Sequence, residues 1–226
     1  MKYEIIGQTV PAVEITLNSG ETIVSQSGGM TWQTDGIQMS TNTNGGLMKG
    51  LGRMFAGESL FMNMYTALKQ DSKITFASTL PGQIVPINLS NFPSGIIAQK
   101  GAFICSEKDV NLKITLSKKF SAGLFGGEGF ILQELSGNGT AFLEVDGDMV
   151  EKNLAPGEIL KVDTGNVVAF EKSVSYEIET VKGLSNIFFG GEGLFLTKLV
   201  GPGRVILQTQ NFNDFAGRII SRIPSK

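Results

Sequence analysis

"LFGGEGFILQELSGNGTAFLEV", Leu124–Val145, is written a second time as "FFGGEGLFLTKLVGPGRVILQ", Phe188–Gln208, and a fainter copy, "MFAGESLFM", spans Met54–Met62. Glu58, Glu128 and Glu192 fall 70 and then 64 residues apart, and each precedes an apolar run: "LFMNMYTAL", "FILQEL" or "LFLTKLV". In the second and third copies a glycine turn follows, "SGNGT" or "VGPGR", and then a second alternating run, "AFLEVDG" or "VILQTQ". Glu128 to Phe142 and Glu192 to Ile206 are both 14 residues, so the register is kept; the first copy has "KQDSK" in place of the turn. Two short runs of period-two alternation around turn residues predict a β-hairpin in each copy.

A second pattern precedes each hairpin. Its members are "SGETIVSQSGGMTW" from Ser19, "PGQIVPINLSNFPSGIIAQ" from Pro81 and "PGEILKVDTGNVVAF" from Pro156. Each joins a Gly-Glu or Gly-Gln turn to two short apolar runs, which predicts about four strands per unit. Three units result, at about residues 12–78, 79–145 and 146–210, followed by a tail at 211–226. Units that cannot bury an apolar face alone pack against their copies, so one compact, all-β body of three repeats in a pseudo-threefold arrangement is expected. Helix is confined to "FNDFAGRIISRI", where Phe212, Phe215, Ile219, Ile220 and Ile223 fall near helical spacing; a short C-terminal helix docked on the β body is expected.

Composition narrows the chemistry. The 226 residues contain no histidine and one cysteine, Cys105. That removes the commonest general base, the commonest zinc ligand and every Ser-His or Cys-His pair, and it excludes a disulfide framework. No phosphate-binding, dinucleotide-binding or nucleophile-elbow motif is present, so no cofactor is expected. A formal charge of -2 gives no general attraction to nucleic acid. Hydrophobic residues reach 41%, yet no run is long enough to cross a bilayer, and the N-terminus lacks a secretory pattern; a cytoplasmic protein is expected.

The chemistry-bearing candidates are therefore few. Glu58, Glu128 and Glu192, with Gly57, Gly127 and Gly191 before them, either cap backbone N–H groups in three equivalent turns or converge as a carboxylate site. "EVDGDMVE", with Glu144, Asp146, Asp148 and Glu151, reads as a solvated hairpin turn without calcium-loop spacing. Leu47, Met48, Leu51, Met54 and Phe55, in a glycine-rich stretch flanked by Lys49 and Arg53, suit an interaction loop: a protein partner, a subunit interface, a peripheral membrane contact or a cover over the core.

"GGLMKG" running into "FAGESLFMNMY", with "PGQIVPINL" and "FGGEGFILQELSGNGTAFLE" behind it, resembles the bacterial family of unknown function related to the fungal mitochondrial altered-inheritance (biogenesis) protein. The resemblance covers nearly the whole chain. It implies a fold like that of the tryptophan RNA-binding attenuation protein, a double-stranded β-helix or β-roll repeated in one chain. It implies no activity, cofactor or catalytic residue. The leading expectation is a non-enzymatic scaffold or protein-interaction protein that self-associates. The alternatives are a small-molecule binding module with a pocket in or between β units and, behind it, a carboxylate-based enzyme.

Overall fold

The computed structural model describes residues 1–43, 61–118, 130–180, 195–220 and 222–223. They form antiparallel β-sheets and one C-terminal helix, so the chain is all-β as expected. In chain order the strands are β1 (Lys2–Ile6), β2 (Ala12–Leu17), β3 (Thr22–Gln26), β4 (Met30–Gln33), β5 (Ile37–Thr43), β6 (Phe61–Ala67) and β7 (Ser72–Ala77). Then come β8 (Gly82–Asn88), β9 (Ile96–Gln99), β10 (Phe103–Glu107), β11 (Val110–Lys118), β12 (Phe130–Gly137) and β13 (Thr140–Asp146). The last six are β14 (Met149–Leu154), β15 (Ile159–Asp163), β16 (Val167–Glu171), β17 (Ser175–Thr180), β18 (Phe195–Val200) and β19 (Gly203–Gln208), followed by helix α1 (Phe212–Ile220).

Two compact units result. One takes Met1–Asn91, Phe103–Asn111 and Gly137–Glu144; the other takes Phe92–Ala102, Leu112–Ser136 and Val145–Lys226. In the first, a four-stranded sheet ordered β1-β2-β7-β4 and a six-stranded sheet ordered β5-β6-β3-β10-β13-β8 share a core. Alternation builds that core: Val13, Ile15 and Leu17 on β2 point inward while Glu14 and Thr16 stay partly exposed, and they meet Ile23, Tyr65 and Phe142 of the larger sheet. Tyr3 on β1 closes edge-to-face on Phe142, with ring centroids 4.9 Å apart. In the second unit, a six-stranded sheet ordered β11-β12-β9-β16-β19-β14 and a three-stranded sheet ordered β15-β18-β17 bury Phe130, Leu132, Val167, Phe170, Leu199 and Val205.

The strand orders correspond. Adding six to every strand number of the first six-stranded sheet gives the second. The same shift places β15-β18-β17 against β9-β12-β11, and β2-β7-β4 against β8-β13-β10. A bulge recurs as well: pairing slips by one residue between Met30 and Trp32 on β4, between Phe103 and Cys105 on β10, and between Val167 and Ala169 on β16.

Three expectations need correction. Six strands, not about four, fall within each expected interval: the expected runs leave out β2, β10 and β14, which lie outside the quoted repeats, and β5, β11 and β17, whose polar alternating runs carry too few apolar residues to stand out. "PGQIVPINL" holds β8, which ends its sheet as β14 does, so its Gly-Gln turn does not match the turns before β3 and β15. Shared turn chemistry had suggested equivalence where position differs. The expected hairpins do not form: β6 and β7, β12 and β13, and β18 and β19 each enter different sheets, so the turns at "SGNGT" and "VGPGR" pass the chain from one sheet to another. At the first of these turns Gly137 and Gly139 have φ of 96° and 113°, and a Cβ on Gly137 would lie 2.5 Å from the Asp109 carbonyl oxygen.

Candidate functional site

Every residue singled out by the glycine-rich motifs lies outside the described residues: Glu58, Glu128 and Glu192, Gly57, Gly127 and Gly191, and Leu47, Met48, Leu51, Met54 and Phe55. Their segments lead from β5 to β6, from β11 to β12 and from β17 to β18.

Five residues after each glutamate, a described and buried polar side chain stands on the following strand: Asn63, Gln133 and Thr197. Thr41 Oγ1 donates to Asn63 Oδ1 at 3.1 Å, and Asn63 Nδ2 donates to the Tyr65 hydroxyl at 3.4 Å. Thr197 Oγ1 donates to Thr164 Oγ1 at 3.1 Å, and the latter donates to the Phe195 carbonyl at 3.0 Å. Gln133 is worst served: Nε2 reaches the Lys100 carbonyl only at 3.5 Å, and Oε1 finds no partner among the described residues. The hydrophobic period of the strands hid these three positions, since each occupies an inward place where an apolar residue is expected.

The acidic run does not form a metal site. Among the described residues no cluster of three potential ligands occurs. Glu144 instead accepts from the backbone N–H groups of Thr79 at 2.5 Å and Leu80 at 3.2 Å, closing the chain between β7 and β8 onto β13. Burial pushes its pKa up, and those two N–H bonds pull in the opposite direction. Glu151 pairs with Arg204 at 3.4 Å across β14 and β19. Cys105 is fully buried, and burial raises its thiol pKa well above the ordinary value, so a thiolate is disfavoured there.

Among the described residues, two surfaces are left without a covering neighbour. The first comprises the outer edges of β4 and β15, each of which ends its sheet. Their counterparts are interior: β10 and β16 in the place of β4, β3 and β9 in the place of β15. Trp32 on β4 is 49% exposed, whereas Cys105 and Ala169, at the matching places past the bulge, are buried. An edge strand of this kind offers unpaired backbone N–H and C=O groups to another strand.

The second surface is α1. The helix forms where expected, yet Phe212, Phe215, Ile219, Ile220 and Ile223 are exposed, so the expected docking of its apolar side chains on the β body is not observed. The helix is held instead by its cap. Asn211 is buried, its Oδ1 accepts from the Asp214 N–H at 2.9 Å, and its Nδ2 donates to Asn166 Oδ1 at 3.2 Å and Asp214 Oδ2 at 3.0 Å.

The class defined by these features is an all-β protein of antiparallel sheets with one C-terminal helix, and none of its described helices is long and apolar enough to cross a membrane. The profile of the mitochondrial biogenesis AIM24 family matches residues 3–210, and the chain belongs to that family. It is 30% identical over 223 residues to an uncharacterised protein of Streptococcus pyogenes serotype M6, covering 95% of this chain and 88% of that protein. It is also similar to a Streptococcus pyogenes protein of known crystal structure: TM-score 0.79 and 27% identity, with 98% of this chain and 99% of that one covered.

Proposed function

We propose that this chain is a non-enzymatic, cytoplasmic scaffold built from three copies of one six-stranded unit, and that it self-associates. The observation that carries this reading is the pair of uncovered sheet edges. β4 and β15 hold places that are interior wherever their counterparts occur, and backbone groups at such places are satisfied by another strand. The shift of six in strand order and the three matched bulges support the triplication.

Native mass spectrometry and light scattering of the unmodified protein over a dilution series test the reading. Masses at whole multiples of 24.2 kDa that fall away on dilution are expected. A strict monomer at every concentration overturns self-association.

A further inference from the structure

Resting on the self-association just proposed, we infer that the contact is heterologous: β15 of one copy pairs antiparallel with β4 of a second copy, joining a three-stranded and a four-stranded sheet into one of seven strands across two chains. Six of them, β17-β18-β15 followed by β4-β7-β2, repeat the order β11-β12-β9-β16-β19-β14 shifted by six strands on one side and by twelve on the other, and β1 lies beyond β2.

The register follows from two pairings within the chain. Cys105 stands opposite Ser25 where β10 meets β3, and Ala169 opposite Ala98 where β16 meets β9. On the β4 side, Trp32 matches Cys105 and Ala169, because all three lie one residue past the bulge, facing Thr75, Phe142 and Ile206 respectively. On the β15 side, Val162 matches Ser25 and Ala98, because these three face Thr197, Asn63 and Gln133. Trp32 of one copy therefore stands opposite Val162 of the next, Gln33 opposite Lys161 and Thr34 opposite Leu160.

The occupant is a second copy because this chain carries both halves of the missing junction and shows that junction made twice. Exposure agrees. Both strands contribute large apolar side chains that solvent reaches, Trp32 and Ile159, whereas Cys105 and Ala169 are covered where the junction is made. An interface that joins two different edges leaves one of each free on the pair, so association continues into a ring or an open array.

Trp32 is the only tryptophan and reports on the contact without any substitution. As the protein assembles, its emission is expected to shift to the blue and its quenching by acrylamide to fall several-fold. Assembly that leaves Trp32 as quenchable as in the dilute monomer overturns this contact while leaving self-association standing. A covalent test fixes the register: Trp32→Cys and Val162→Cys proteins, both carrying Cys105→Ala, are mixed and oxidised. A disulfide-linked pair of chains is expected in the mixture and in neither protein alone. Absence of that product, or a doubly substituted chain that closes its disulfide internally and stays monomeric, overturns the inference.

Discussion

Trp32 and Cys105 stand at the same point of two corresponding strands, each one residue past a bulge and facing the neighbouring strand at Thr75 or Phe142, yet Trp32 is 49% exposed and Cys105 is 0% exposed. The difference is the next strand: β3 pairs with β10 on the side away from β13, and no described strand pairs with β4 on the side away from β7. Removing the Trp32 side chain should therefore cost the isolated chain little. Trp32→Thr is expected to change unfolding free energy by no more than about 0.5 kcal/mol in dilute solution. Phe142→Ala, deep in the same unit, should cost about 3–5 kcal/mol. Urea unfolding followed by circular dichroism checks both; comparable losses would show that Trp32 is covered in the monomer.

Glu144 makes stability depend on pH. Burial raises its folded pKa, so the favourable contribution of the protonated carboxyl is complete below the unfolded pKa and is lost as pH rises through the folded one. Glu144→Gln keeps a carbonyl acceptor for the Thr79 and Leu80 N–H groups and cannot ionise. The variant should lose less stability than the parent as pH rises from below the ordinary carboxylate range through the raised pKa of the folded state, and the gap between them should widen over that window. Identical slopes for the two proteins would rule the ionisation out as a cause.

Gln133 is a buried amide whose oxygen has no partner among the described residues, whereas Ser25 is a buried hydroxyl donating to the Ile104 carbonyl at 2.8 Å. Leaving a polar group unsatisfied costs about 1–3 kcal/mol. Gln133→Leu should thus leave stability unchanged or raise it, and Ser25→Ala should lower it by about 1 kcal/mol. Thermal unfolding of both variants separates these signs, and a marked loss in Gln133→Leu would mean that its Oε1 has a partner.

Asn211 caps α1 and ties it to Asn166 in the turn between β15 and β16. Asn211→Ala should cost about 1–2 kcal/mol and fray the helix. Proteolysis after Gln210 ought to accelerate while the strand signal in circular dichroism stays intact. Equal protease resistance in parent and variant would show another anchor.

Strands and turns were legible where turn residues punctuate alternation, as at "SGNGT" and "VGPGR", although the strands those turns join enter different sheets, and the terminal helix was legible from Phe212, Phe215 and Ile219. The strands missed were β2, β10 and β14, outside the quoted repeats, and β5, β11 and β17, whose sequences "IQMSTNT", "VNLKITLSK" and "SYEIET" alternate weakly because each ends its sheet. The end positions of β4 and β15 in their sheets were illegible for a different reason. Nothing in "MTWQ" or "ILKVD" distinguishes an edge strand from an interior one, and only the strand order does. The motif glutamates drew notice by repetition, while Asn63, Gln133 and Thr197, at a constant offset from them, were masked by apolar neighbours.

The first six-stranded sheet has a consequence for the order of synthesis. β3 pairs with β6 as soon as residue 67 has been made, but its other neighbour, β10, comes from Phe103–Glu107, and β13 beyond that from Thr140–Asp146. A nascent chain of two-thirds length is needed before that sheet can finish, and a ribosome-bound intermediate leaves the free edge of β3 unpaired for the time of about 40 further residues, several seconds at ordinary elongation rates. Holding that intermediate apart from its neighbours on the same message is a demand the interleaved strand order places on the cell.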